Sequence, residues 1–329
     1  MSVLYLMEQG LTVARKGERL VVLKSGIRVK SVPIHMVERV IAFGNINFTA
    51  PALDLIMRNG VPVAFLSIRW RLKGILEPPR SPDIAIRYAQ FRRFSSAGFC
   101  LKIAQETVRA KINNQLNVLK RLSKNTGLDF SKEMRKMRRI TGKINNIGEL
   151  KTLLGIEGEA SRIYYRAFLS VFPEELSGGK RRKHPPGDPV NSLLSFSYTL
   201  LTWELFSILR AHGFDPYLGF YHKFRHGRPA LALDMVEPFR APIADNLVFD
   251  FINHDAVSAG DFYEKDGAWL LRKRARDSFL REYERLMRRR LKAPSGKRRE
   301  LRFLMEEYVT ALKNAVFKKD RFTAYRYKR

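Results

Sequence analysis

Glu77-Pro78-Pro79-Arg80-Ser81-Pro82 divides this chain of 329 residues into two unlike parts. Each proline fixes φ and lacks an N–H, so three of them in five positions continue neither a helix nor a central strand. Upstream, short β-branched or aliphatic runs recur: Val3-Leu4-Tyr5-Leu6, Leu11-Thr12-Val13, Leu20-Val21-Val22-Leu23, Val40-Ile41-Ala42-Phe43 and Pro62-Val63-Ala64-Phe65-Leu66. Gly10, Gly17 and Gly26 punctuate them as turns do. Residues 50–60 read as one short helix, with Pro51 near its start and Gly60 at its end. Downstream, Ile103, Val108, Ile112, Leu116, Leu119 and Leu122 recur at helical spacing between charged positions. An apolar segment over residues 193–209, with Trp203, reads as a central helix. The spacing predicts an α+β chain. A small, mostly antiparallel β domain spans residues 1–76, a linker spans 77–83, and a larger all-α domain spans 84–329.

Lys and Arg number 61 against 32 Asp and Glu, a formal net charge of +29. Such an excess concentrates polyanions at the surface and speeds their capture. The charge is uneven: residues 271–329 hold 21 Lys and Arg against 7 Asp and Glu, grouped around Arg272–Arg276 and Arg288–Arg290. A run of that density reads as a polyanion track rather than a solvated helix face. Lys180-Arg181-Arg182-Lys183 adds a second basic group, in a Gly- and Pro-rich loop. The single cysteine, Cys100, excludes an internal disulfide framework and a Cys-rich zinc site. With no apolar run that reads as a bilayer span, and a start that lacks a basic region followed by a hydrophobic one, the expected compartment is the cytoplasm. The end, from Arg321 onward, reads as a flexible tail.

Two stretches carry the chemistry. Gly155-Ile156-Glu157-Gly158 falls in a predicted helix, where Gly158 costs roughly 1 kcal/mol against Ala and suggests a close approach to the backbone. Gly219-Phe220-Tyr221-His222 is followed by Asp234-Met235-Val236-Glu237-Pro238. Asp234 and Glu237, three apart, share a helix face, although Asp234 also suits an N-cap. Pro238 implies an early helix position or a turn. Two or more carboxylates with an imidazole suit Mg²⁺ or Mn²⁺ with positions left for phosphate, and zinc is not excluded. Spacing leaves Glu157 and Glu159 equally available. It leaves open a structural ion-pair network of Glu157 with Arg162 and Arg166. Glu157 and His222 lie 65 residues apart, so only the fold can bring them together.

Four motifs in order, Val32-Pro33-Ile34-His35-Met36-Val37-Glu38-Arg39, Gly155-Ile156-Glu157-Gly158 with Tyr164, Pro185-Pro186-Gly187-Asp188-Pro189-Val190-Asn191 and Gly219 through Arg240, closely resemble CRISPR-associated protein one, the integrase and endonuclease of CRISPR adaptation. The likeness spans nearly the whole chain. It implies a homodimer, and Glu157, His222 and Glu237 as catalytic ligands of Mg²⁺ or Mn²⁺, with Asp234 in support. Family members often carry Asp at the position of Glu237, which leaves open whether Asp234 or Glu237 is the direct ligand. The implied reaction joins the 3′-hydroxyl ends of foreign double-stranded DNA to CRISPR repeat DNA by transesterification, with CRISPR-associated protein two as partner. Arg181, Arg182, Lys183, Arg225, Arg228, Arg240, Arg288 and Arg289 are candidates to hold the DNA. Two other readings stand: a metal-dependent nuclease acting on branched repair intermediates, and a non-catalytic DNA-binding scaffold.

Overall fold

The computed structural model describes residues 2–68, 72–77, 84–182, 185–222, 224–254, 256–293, 296–318 and 321–327. Most of the expected linker, from Pro78 to Asp83, lies outside the described residues, as do Lys183 and His184. The chain divides into two compact units, Met1–Pro82 and Asp83–Arg329.

The first unit contains β1 (Ser2–Leu6), β2 (Leu11–Lys16), β3 (Arg19–Lys24), β4 (Ile27–Pro33), β5 (Val37–Phe43), β6 (Ile46–Phe48), α1 (Ala50–Arg58), β7 (Val63–Leu66) and β8 (Leu72–Leu76). They form two four-stranded sheets, ordered β1-β5-β7-β8 and β4-β3-β2-β6. Leu11 and Val13 of β2 point inward in alternation, as a half-buried strand requires. They join Leu4, Leu20, Val22, Val40, Val63, Leu55 and Ile56 in one core, where each fully buried Leu, Ile or Val contributes about 1.5–3 kcal/mol. Thr49 caps α1 by accepting from the Ala52 N–H. The expected strand-rich region forms, but its pairing is mixed rather than mostly antiparallel. β1–β5, β5–β7 and β2–β6 are parallel. The crossover through α1, between β5 and β7, is what permits a parallel neighbour, since a tight hairpin cannot supply one.

The second unit contains α2 (Ile84–Phe94), α3 (Ala97–Thr126), α4 (Ser131–Lys143), α5 (Leu150–Leu169), α6 (Pro189–Ala211), α7 (Ala230–Phe239), α8 (Asn246–Asn253), β9 (Phe262–Lys265), β10 (Ala268–Leu271), α9 (Lys273–Met287), β11 (Arg290–Lys292), β12 (Arg298–Glu300) and α10 (Leu301–Lys318). It is predominantly helical, as expected, with two small hairpins besides. Asp266-Gly267, both at positive φ, turns β9 into β10, the two-residue turn that matches strand twist. Asp188 caps α6 by accepting from the Asn191 N–H at 2.7 Å, with Pro189 in the first turn. α6 is long and apolar enough, by length and composition, to cross a membrane, which corrects the sequence expectation. Yet 78% of its most apolar window is buried inside the unit, against α7, α8, α10 and β10, so its apolarity serves the core. α3 packs against α5 and α7, and these three helices carry the site.

Candidate active site

His222 is held by Asp234. In the middle of α7, Asp234 is 1% exposed. Its Oδ2 accepts from the backbone N–H groups of Phe220 (2.7 Å) and Tyr221 (2.9 Å). Its Oδ1 accepts from the N–H of His222 (2.8 Å) and meets the ring Nδ1 of His222 at 2.7 Å. A buried carboxylate needs this many partners to stay charged. Asp234 is therefore not the N-cap of α7; it caps the 220–222 loop from inside the helix. Its tight fit also accounts for Gly219. A Cβ there would lie 2.7 Å from Asp234 Oδ2 and 2.8 Å from the Ala230 carbonyl carbon. With Nδ1 committed, Nε2 of His222 is the nitrogen available to a ligand.

Glu157 on α5 and Glu237 on α7 converge on a residue the sequence reading passed over, Lys111 of α3. The Lys111 ammonium hydrogen-bonds to Glu157 Oε1, which also accepts from Ser161 Oγ at 2.8 Å. Lys111 Nζ also lies 2.6 Å from Glu237 Oε2, while Arg240 meets Glu237 Oε1 at 3.2 Å. The buried hydroxyl of Tyr221 has no hydrogen-bond partner among the described residues. Burial works against the charge of Glu237, but Arg240, Lys111 and His222 outweigh it and hold the carboxyl well below its ordinary range. Burial likewise opposes the charge of Glu157, and Lys111 and Ser161 bring it below its ordinary value. For Lys111 burial is again the largest influence, and the two glutamates overcome it to push the ammonium up. A signal for Lys111 existed in the sequence. It falls on the stripe Ala104, Val108, Lys111, Gln115, Val118, which is otherwise apolar or neutral.

The end of α7 is shaped by two prolines. Pro238 sits inside the helix rather than at its start, and Arg240–Asp245 continues as a π-helical segment. Pro242 has no N–H to offer the carbonyl of Pro238. That carbonyl instead accepts from Asn114 Nδ2 at 2.6 Å. Asn114 Nδ2 also donates to the Tyr325 carbonyl, and its Oδ1 accepts from the Tyr327 N–H. Tyr325 stacks on Phe239 with ring centres 4.4 Å apart, and Phe322 and Ala324 are buried. The segment expected as a flexible tail is thus, over residues 321–327, packed against α3 and α7. At the end of the π-helical segment, Asp245 accepts from the hydroxyls of Tyr164 (2.7 Å) and Tyr198. Burial pushes its carboxyl up to about 6, against the lowering effect of those two bonds.

The remaining candidates separate clearly. Glu159, Arg162 and Arg166 are exposed, so the ion pair of Glu157 runs to Lys111 and not along its own helix. A Cβ at Gly158 would meet nothing within 4 Å among the described residues, so no close backbone approach explains that glycine. Arg181 turns inward: it donates to Asn191 Oδ1 at 2.7 Å and lies over the rings of Tyr165 and Tyr198. Asn191 also accepts from the Arg182 N–H, which makes the Pro185–Asn191 motif an anchor for the basic loop. Arg240 lies over Tyr198 and pairs with Glu237. Arg225 is exposed and Arg228 half-buried. Burial, with smaller contributions from the charges of Arg225 and Arg240, pushes the guanidinium of Arg228 down. Arg288 and Arg289 are exposed, whereas Arg302 of the same basic run is clamped between Glu204 and Glu284.

A divalent cation would draw on Glu157, Glu237 and His222. Among the described residues no three His, Cys, Asp or Glu side chains are already gathered as a metal site. The donor set nevertheless fits one. The two carboxylates already close on a cation, the Lys111 ammonium, and the imidazole is oriented from behind, as metal-binding histidines are.

The chain thus combines a strand-rich unit with a helical unit whose α3, α5 and α7 carry buried acids, a histidine and nearby arginines. A family model, CRISPR associated protein Cas1, matches residues 4–285. The CRISPR-associated endonuclease Cas1 3 of Thermus thermophilus is 35% identical over 297 residues, which cover 89% of this chain and 85% of that protein. Against two relatives that are Cas4 exonuclease/Cas1 endonuclease fusions, the chain spans about half of their length. A casposase bound to its integration product has the same fold, with a TM-score of 0.86 at 22% identity over 98% of this chain and 93% of that one. A Cas6-RT-Cas1–Cas2 complex contains it too, with a TM-score of 0.85 at 24% identity over 100% of this chain and 36% of that one. The chain belongs to the CRISPR-associated protein Cas1 family.

Proposed function

We propose that the chain is a metal-dependent DNA endonuclease and integrase of CRISPR spacer acquisition. What carries this reading is the convergence of Glu157 and Glu237, from separate helices, on one buried cation position, beside a histidine fixed by Asp234 and a crowd of arginines. Names among the relatives, endonuclease and integration product, support the same chemistry.

Mg²⁺ or Mn²⁺ bound by Glu157, His222 and Glu237 would neutralise phosphate charge and stabilise the leaving oxygen. Asp234 keeps Nδ1 of His222 engaged, which leaves the Nε2 lone pair for the ligand role proposed here. It also makes Glu237, rather than Asp234, the direct ligand, because every Asp234 oxygen is already committed. Arg225 and Arg228 present positive charge to the backbone phosphates, and Arg182, Arg288 and Arg289 extend the track, whereas Arg240 is spent on Glu237 and Tyr198. The 3′-hydroxyl oxygen of a foreign duplex attacks phosphorus at the edge of a CRISPR repeat; its proton passes to solvent and the repeat strand's 3′ oxygen departs. With water as the nucleophile the same site hydrolyses. No covalent protein intermediate is needed. A homodimer and a Cas2 partner complete the reading.

The test is strand joining on a branched DNA that mimics the half-integrated product, with Mn²⁺ and with EDTA, for wild type and His222→Ala. Metal-dependent rejoining that is lost in the variant is the expected result. Cutting without rejoining would replace the integrase with a repair nuclease. DNA binding with no reaction in Mn²⁺ would leave a scaffold.

A further inference from the structure

Lys111 occupies the place that the proposed function gives to a metal, and the inference that follows rests on that function. Its side chain is 9% exposed, in the middle of α3, with Glu157 17% and Glu237 5% exposed on either side. A lysine so placed would lose its charge unless carboxylates held it. Glu157 and Glu237 in turn would repel each other in a buried site without a cation between them. Arg240 reaches only the Oε1 of Glu237 and does not bridge the pair. The glutamate pair itself balances: its two carboxylates face the Lys111 ammonium and the Arg240 guanidinium, while Asp234 is spent on the 220–222 loop. A divalent ion added with Lys111 still in place would bring two further positive charges against that pair, which is severely disfavoured. The ammonium sits on a flexible four-carbon stem, while Arg240 is fixed over the Tyr198 ring.

We propose that Lys111 is a built-in counter-ion, and that its ammonium competes with a divalent cation for the Glu157–Glu237 pair. In the metal-free protein it keeps the two glutamates charged, close and folded. Metal binding expels it, so the intrinsic affinity of the site is lowered by the work of displacing Lys111. Lys111 is thereby a positioning residue that sets the metal concentration at which the protein is armed.

The experiment is Mn²⁺ binding to the DNA-free full chain, by titration calorimetry, with thermal unfolding in EDTA and in Mn²⁺. Lys111→Met, which keeps the stem and removes the charge, is expected to bind Mn²⁺ about tenfold more tightly or better, within the usual range of coupling between two sites. It is also expected to melt lower than wild type in EDTA and to gain more from Mn²⁺. Lys111→Arg, which keeps a cation, should bind no more tightly than wild type. Should Lys111→Met be unfolded in EDTA, refolding on Mn²⁺ supports the competition and failure to refold overturns it. Unchanged or weaker Mn²⁺ affinity in a folded Lys111→Met overturns it as well. Glu157→Gln separates the two levels. If it abolishes Mn²⁺ binding while Lys111→Met gains nothing, only the competition fails. If it leaves Mn²⁺ binding intact, the metal assignment fails and the competition with it.

Discussion

Asp234 accepts from three backbone N–H groups and faces one imidazole nitrogen, so no amide can replace it. In Asp234→Asn either orientation of the amide sets an NH₂ against donors. The expected loss is about 2–4 kcal/mol, from buried donors left unmet, with Mn²⁺ affinity down about 10–100-fold because His222 is released. Calorimetric titration and thermal unfolding check both, with Glu159→Gln, an exposed neighbour, as the unchanged control. Gly219→Ala is expected to cost about 3 kcal/mol through the clash with Asp234 and Ala230, read as a fall in Tm. Acid should disarm the carboxylate pair. Glu157 and Glu237 titrate below their unfolded value of 4.5, so their contribution to stability is complete above that pH and is lost as pH falls through their folded values. Urea unfolding across that acid range should show a steeper loss in wild type than in Glu157→Gln.

At the scale of elements, the junction of α7 with its π-helical continuation depends on partners far away in sequence. Asn114→Ala strands the Pro238 carbonyl and unfastens the 321–327 segment from α3, at an expected cost of about 1–3 kcal/mol for the buried acceptor. Hydrogen exchange should then rise in residues 321–327. Asp245 adds a pH dependence of the opposite sense. Its folded carboxyl titrates at about 6, above the ordinary 3.8, so the stabilisation from its protonated form is full below about 3.8 and is lost as pH rises through about 6. Each tenfold gain in its affinity for the proton corresponds to about 1.4 kcal/mol. Wild type should therefore melt higher at the acid side of that interval than at neutral pH, and Asp245→Asn should flatten the difference.

On the whole-molecule scale, a net charge of +29 is expected to make the proposed DNA binding steeply salt-dependent. Charge reversal at the exposed Arg288 and Arg289 is expected to weaken binding and to flatten the plot of log affinity against log salt by about 0.9 for each phosphate no longer neutralised. Arg302, clamped by Glu204 and Glu284, should change stability instead. That division could not be read from the chain, where both lie in one basic run. Periodicity was enough for the strand-rich start, for α1 and for the buried α6, because burying an apolar stripe is a local instruction. The motif order singled out Glu157, His222, Asp234 and Glu237 as candidates, and the structure pairs His222 with Asp234 and both glutamates with Lys111. Mixed sheet pairing, the continuation of α7 past Pro238 and the packed 321–327 segment were not legible, since each depends on a partner distant in sequence. The same holds for the site's central feature. The sequence by itself determined two kinds of structure and an excess of positive charge, and it marked Glu157, His222, Asp234 and Glu237 as candidates. Only the tertiary structure decided that Asp234 is spent on the His222 loop and that Lys111 stands between Glu157 and Glu237. Burial makes a charge choose a partner, and which partner lies within reach is set by how α3, α5 and α7 pack.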